Sequence, residues 1–153
     1  MKGQTAVEYL MTYGWAILII LIVAGVLAYY GIFAPAGFLG PTARGFGQIQ
    51  ALNPWSLSAS TGTLVMSVGN RVGGTVNFLE IGYTTDSGTT QNLGTLTGNT
   101  TLTSGSNGVI SAAGTGAIAG KTAGDTYTAT VIIKYSYGGQ NFTSSGTLSG
   151  TYS

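Results

Sequence analysis

The sequence predicts an α+β protein: one long N-terminal hydrophobic α-helix followed by an all-β, sandwich-like head. Three observations predict it. From Tyr9 to Ala43 no residue is charged, and within that stretch Trp15 to Phe33 is almost entirely apolar. From Arg44 onward the composition changes to 20 Gly, 20 Thr and 13 Ser among 110 residues, a mixture of strand formers and turn formers with no helical period. Near the C-terminal end, apolar and polar residues alternate on both sides of Gly138-Gly139, the pattern of a β-hairpin.

The helix comes first. Trp15 to Phe33 reads WAILIILIVAGVLAYYGIF, and nineteen residues at ~1.5 Å each span about 28 Å, close to the thickness of a bilayer core. Tyr9, Tyr13 and Trp15 lie near one end of the run and Tyr29 and Tyr30 near the other, where interfacial aromatics are expected. Pro35, Gly37, Gly40 and Pro41 supply the stop and a short connection. Three readings compete. In one, a secretory signal is removed at the small-x-small site Ala34-Pro35-Ala36. In another, the segment is a permanent single-span anchor. A third must explain why an acid, Glu8, precedes the span.

The segment Lys2-Gly3-Gln4-Thr5-Ala6-Val7-Glu8-Tyr9-Leu10, continuing MTYGWAILIILIVAGVLAYYG, resembles the class III signal segment of archaeal type IV pilins. The resemblance covers roughly residues 1–31 and does not reach the head. It implies a leader over residues 1–3, cut by a prepilin peptidase between Gly3 and Gln4 on the cytoplasmic side. Glu8 then becomes the fifth mature residue. It further implies a helix over 4–34 that anchors the precursor in the membrane and forms the filament core after assembly. The expected partners are identical copies in a homopolymer and the pilus assembly machinery. The expected location is an extracellular filament, and the resemblance implies adhesion as its use; the polar stretch EYLMTYGW, unlike the apolar start usual in archaellins, argues for a non-motility pilus. The alternative is a membrane-anchored or secreted β-sandwich surface or carbohydrate-binding protein that never polymerises.

Read for their own chemistry, Thr5 and Glu8 have the S/T-x-x-E spacing of a capping box. Glu8 is also an expensive residue in an apolar helix bundle unless it is paired. The resemblance implies a partner, the new α-amino group of Gln4 on a neighbouring subunit. Gly14 and Gly25 are eleven positions apart, which returns them to within about 20° around the helix. With Ala28 nearby they make a thin stripe where another helix can approach, although Gly is also simply frequent in membrane helices.

A linker over 35–43 leads to the head, 44–153. Strands are expected at Thr63 to Val68, Val76 to Tyr83, Asn92 to Thr97, Thr100 to Thr103 and Val109 to Ala112. Turn signals separate them at Val68-Gly69-Asn70, Asp86-Ser87-Gly88, Gly98-Asn99 and Ser106-Asn107-Gly108. Gly114 to Gly124 is low in complexity and reads as a long loop. In the C-terminal hairpin, Tyr127, Ala129, Val131, Ile133, Tyr135 and Tyr137 face one way. Pairing across Gly138-Gly139 then sets Tyr135 opposite Phe142 and Ala129 opposite Leu148 on the inner face, with Lys134 beside Thr143 and Thr130 beside Thr147 outside.

The inventory argues against most other functions. The chain has no His and no Cys, which removes the usual zinc ligands, disulfides and His-activated nucleophiles. Glu80, Asp86 and Asp125 are the head's only acids, too few and too scattered for carboxylate-pair chemistry or a calcium cage. No catalytic residue, cofactor or metal is therefore expected. A formal net charge of +1 gives little grip on phosphate backbones, so nucleic acid is not expected as a partner. Two N-x-T triplets, at Asn99 and Asn141, are candidate glycosylation acceptors. Asn141 is the better placed, on the outer face of the hairpin.

Overall fold

The computed structural model describes residues 2–30, 40–93 and 96–153. It has one long N-terminal apolar helix followed by a β-rich domain of two antiparallel sheets.

Helix α1 spans Lys2–Tyr29, 28 residues, about 42 Å at the usual rise. It starts ahead of Gln4, so the leader segment and the apolar run form one continuous helix. This corrects the capping-box expectation. Thr5 is inside the helix rather than at its N-cap, and interior N–H groups are already bonded one turn back. Further along, Thr12 donates its hydroxyl to the Glu8 carbonyl at 2.8 Å. At the other end Tyr30 N–H bonds the Val26 carbonyl at 3.0 Å. The expected end of the helix over 31–34 and the Pro35 and Gly37 stop signals lie outside the described residues.

The head comprises β1 (Thr42–Arg44), β2 (Ile49–Leu57), β3 (Leu64–Asn70), β4 (Val76–Thr85), β5 (Thr90–Leu93), β6 (Leu96–Gly98), β7 (Thr101–Leu102), β8 (Asn107–Ala112), β9 (Thr126–Tyr137) and β10 (Gln140–Thr151). One sheet runs β1-β10-β9-β4-β5, with β7 also paired to β4; the other runs β2-β3-β8-β6. Apolar side chains from both sheets meet in one core. Ile49, Leu57, Leu64, Met66, Val68 and Ile110 come from the second sheet, and Phe78, Ile81, Tyr83, Tyr127, Val131, Ile133 and Leu148 from the first. Their removal from water is the main force holding the sheets together.

The hairpin β9–β10 follows the expected register. Tyr135 pairs with Phe142, Ala129 with Leu148, Lys134 with Thr143 and Thr130 with Thr147. Tyr127 to Tyr135 alternate between buried and exposed as a half-buried strand should. The inner face does not stay buried to its end, however: Tyr137 and Phe142 are 38% and 43% exposed and meet tilted beyond the core, with ring centroids 6.5 Å apart.

Elsewhere the structure departs from the sequence pattern. β1 begins at Thr42, within the expected linker, because it pairs with β10 from Thr42↔Ser149 to Arg44↔Thr147. β2 has no counterpart among the expected strands. It contains Pro54 after a cis peptide bond at Asn53, and its register against β3 shifts between Leu52 and Trp55. β2 is the edge strand of its sheet, where a proline's missing N–H leaves no ladder bond broken. The Val68-Gly69-Asn70 turn signal lies in β3 instead, and the expected strand Asn92 to Thr97 divides between the two sheets as β5 and β6. The turn expected at Ser106-Asn107-Gly108 falls earlier, at Ser104 and Gly105.

Gly114 to Gly124 carries no strand, as expected, but it is anchored. Ile118 is buried and its N–H bonds the Ala59 carbonyl at 2.8 Å. The Gln91 amide clasps the loop by accepting from Thr115 N–H at 3.0 Å and donating to the Gly116 carbonyl at 3.4 Å. Gly114 is required where it stands, because a Cβ there would run into the backbone of Thr61 and Gly62.

Candidate functional site

The residues singled out for cleavage and assembly, Gly3, Gln4, Glu8, Gly14 and Gly25, all lie on α1. Gly3, Gln4, Glu8 and Gly25 are exposed and Gly14 is half-buried. No neighbouring atom lies within 4 Å of where a Cβ would stand on Gly14 or Gly25, so nothing in this chain requires those positions to be small. Any such requirement comes from outside it.

The surface of α1 is its main physical property. Large side chains all around the helix are exposed, including Leu10 at 67%, Met11 at 79%, Ile20 at 65% and Leu21 at 65%. No helix residue belongs to the core of the head. Burying one such side chain is worth about 1.5–3 kcal/mol. With more than a dozen involved, leaving them in water would cost more than the ~5–15 kcal/mol that holds a typical domain folded. Helix α1 therefore demands a non-aqueous surround, either lipid or other helices. The stretch Gly3–Tyr29, 27 residues, is long and apolar enough to cross a membrane, and Glu8 is the one charged residue in it. Glu8 lies about 10 Å along the axis before Trp15. Tyr9 and Tyr13 flank this region with ring centroids 4.4 Å apart, and Tyr29 and Tyr30 meet edge to face at the other end at 5.6 Å.

The outer face of the first sheet carries rows of polar side chains. Following the register across five strands, Arg44, Thr147, Thr130, Thr84 and Thr90 form one row. Within it the Thr84 and Thr90 hydroxyls are 3.0 Å apart. A parallel row holds Asn141, Ser136, Asn77 and Thr101. Between them Lys134 and Glu80 make an ion pair at 2.7 Å, their side chains 52% and 30% exposed. A shallow depression lined by Glu80, Thr84, Thr90, Ile132 and Lys134 opens here.

Titratable groups elsewhere are held by structure. Burial pushes the Tyr83 and Tyr127 hydroxyls up to about 12. Tyr152 is also raised, first by burial and then by the negative charges of Asp86 and Asp125. The Asp125 carboxylate accepts from Thr122 N–H at 2.8 Å and from the Thr122 hydroxyl at 3.1 Å, which holds it below the ordinary carboxylate value. Among the described residues no three of His, Cys, Asp and Glu converge.

The two N-x-T triplets sit differently. Asn99 lies between β6 and β7, where its side-chain Oδ1 accepts from Val109 N–H at 3.2 Å. Asn141 is exposed near the start of β10, opposite Ser136. The sequence pattern missed Asn70, which is completely buried. Its Nδ2 donates to the Gly74 and Leu102 carbonyls, each at 2.9 Å, and its Oδ1 accepts from Val72 N–H at 2.8 Å. A polar residue after a glycine signals a turn, and nothing local marks this one as a buried hub.

No protein-family model matches the chain, and no curated protein matches it. Among solved structures the chain is similar to the archaeal flagellum of Methanospirillum hungatei strain JF1. The match has 16% identity and a TM-score of 0.35, covering 92% of this chain and 85% of that one.

Proposed function

We propose that this chain is the structural subunit of an archaeal type IV adhesion pilus, polymerising through α1. One observation carries the reading: a helix that is apolar around its whole circumference, with Glu8 its only acid, attached to a β domain that has its own core. A lipid anchor needs only the apolar surface. The acid is what calls for more, because a carboxylate held among apolar helices is costly unless it meets a cation.

In this reading the precursor sits in the cytoplasmic membrane by α1 and a prepilin peptidase cuts between Gly3 and Gln4. The cut frees the α-amino group of Gln4, which pairs with Glu8 of a neighbouring subunit and sets the axial register as the assembly machinery adds subunits. Gly14 and Gly25 lie along the line of closest helix approach. The apolar surround passes from lipid to neighbouring copies of α1, and the hydroxyl-rich face of the head meets the medium.

The test is the mass of the N-terminal peptide from sheared surface filaments, together with filament yield from the Glu8→Ala variant. A mature start at Gln4, and a variant that enters the membrane but forms no filaments, are the expected results. A start near Gly37 supports a secreted domain instead. An uncut chain that stays in the membrane supports a simple anchor, and an unchanged filament yield from Glu8→Ala removes the pairing role.

A further inference from the structure

We propose that Asn141, and not Asn99, carries an N-linked oligosaccharide, and that this sugar guards an unpaired edge of the first sheet. The two acceptor triplets are alike in sequence and differ in the fold. A glycosyltransferase must hold the asparagine amide and the hydroxyl two residues on, so both must be free and the backbone between them reachable. In Asn99-Thr100-Thr101 they are not. Asn99 Oδ1 accepts from Val109 N–H, its backbone N–H bonds the Val109 carbonyl at 2.9 Å, and Phe78 N–H bonds the Thr100 carbonyl at 2.8 Å. The Thr101 hydroxyl is committed to Asn77 Oδ1 at 2.8 Å. The Asn99 side chain also lies so close over Gly108 that a Cβ there would sit 2.6 Å from Asn99 Cβ. Drawing this triplet into an active site means pulling apart the β6–β8 and β4–β7 pairings.

Asn141-Phe142-Thr143 is paired on one side only, with β9 from Asn141↔Ser136 to Thr143↔Lys134, and its acceptor side chains are free. Asn141 and Thr143 are both exposed on the outer face of β10, two residues apart and therefore on the same side of the strand. Neither side chain makes a hydrogen bond among the described residues. β1 stops at Arg44↔Thr147, so among the described residues the second edge of β10 from Gln140 to Thr143 has no strand partner. That edge of free N–H and C=O groups runs beside the exposed rings of Tyr137 and Phe142. An open strand edge next to apolar surface invites pairing with another chain, and the head has only seven charges with which to discourage it. A hydrated oligosaccharide on Asn141 stands over that edge.

The bond forms between Asn141 Nδ2 and the anomeric carbon of an oligosaccharide carried on a polyisoprenyl phosphate. The bond from that carbon to the phosphate oxygen breaks, the phosphate leaves with the electron pair, and Nδ2 gives up one proton to the transferase. The proposal rests on the head lying outside the cell, as the pilus reading requires.

The test uses the full chain expressed in a host that N-glycosylates exported proteins, with peptide mass spectrometry on material whose head is cleaved by protease added to intact cells. The expected result is sugar on the Asn141 peptide only. That mass should be lost completely in Asn141→Gln and in Thr143→Ala and kept in Asn99→Gln. Sugar at Asn99, or a bare Asn141 on protease-accessible chain, overturns the proposal. A head shielded from the protease overturns export itself, a separate failure. Detergent-solubilised Asn141→Gln should form larger species on size exclusion than the glycosylated chain; an unchanged size removes the guarding role.

Discussion

Replacing Asn70 by alanine should cost the head a large part of its stability. The side chain is completely buried and satisfies three backbone groups in two places: the Val72 N–H and Gly74 carbonyl in the β3–β4 connection, and the Leu102 carbonyl in β7. Alanine leaves all three without that partner. An unpaired buried group costs about 1–3 kcal/mol. Because the Gly74 contact is only partly buried, the sum is roughly 3–6 kcal/mol. Against a typical stability of ~5–15 kcal/mol, that is a loss of about a fifth or more. The assay is chemical unfolding of the full chain in detergent, followed by the fluorescence of Trp55, which packs against the core. A Trp15→Phe background removes the signal from α1. Asn77→Ala is the control: Asn77 is exposed and accepts one hydrogen bond, from Thr101, so its loss should stay under about 1 kcal/mol. If Asn70→Ala costs no more than Asn77→Ala, the reasoning from buried unpaired groups is wrong.

Alkaline pH should unfold the head through its buried tyrosines. Tyr83 and Tyr127 are pushed up to about 12 in the fold from an unfolded value near 10. Their contribution is therefore complete below pH ~10 and lost as pH rises toward about 12. A tenfold change in an ionisation constant corresponds to about 1.4 kcal/mol, and discounting for residual solvent screening leaves roughly 2–4 kcal/mol for the two tyrosines together. Tyr127→Phe should flatten part of the fall in an unfolding series across that range, and a midpoint that does not move with pH refutes it. Lys134→Met removes the Glu80 ion pair, but both side chains are substantially exposed. The expected loss is under about 1 kcal/mol, and a larger one in the same unfolding assay shows the pair to be structural. Gly25→Leu should leave membrane insertion and head stability unchanged while lowering filament yield, because nothing within the chain crowds that position. Full yield from the variant, counted by electron microscopy, rules out close helix approach there.

Local pattern revealed the elements whose determinants are local. The hairpin was legible to the pair, because alternation on two strands and the glycine turn between them specify one register. The helix was legible from its unbroken apolar run. Its start was not, since Lys2 and Gly3 carry no cap signal and Thr5 and Glu8 imitate one. β2 was hidden by Pro54, and only its edge position, a property of the assembled sheet, makes a proline acceptable there. Asn70 read as a turn residue because two of its partners, Val72 and Gly74, are local, and the third, Leu102 in β7, reaches it only in the fold. The same limit applies to the candidate sites. The positions of Glu8, Gly14 and Gly25 on one helix follow from spacing, whereas the contrast between Asn99 and Asn141 arises from Val109 and Asn77, residues distant in the chain.

The short strand β1 has a mechanical consequence. Any pull on the chain from its N-terminal side enters the head at Thr42. There it meets a ladder of three residues, from Thr42↔Ser149 to Arg44↔Thr147, before it reaches the twelve-pair ladder between β10 and β9. The weaker attachment yields first. Freeing the chain from Thr42 up to Phe46, which packs against the core, releases up to roughly 14 Å, at ~3.3–3.6 Å per residue. β1 thus works as a tear strip, lengthening the tether under load before the fold it protects is strained.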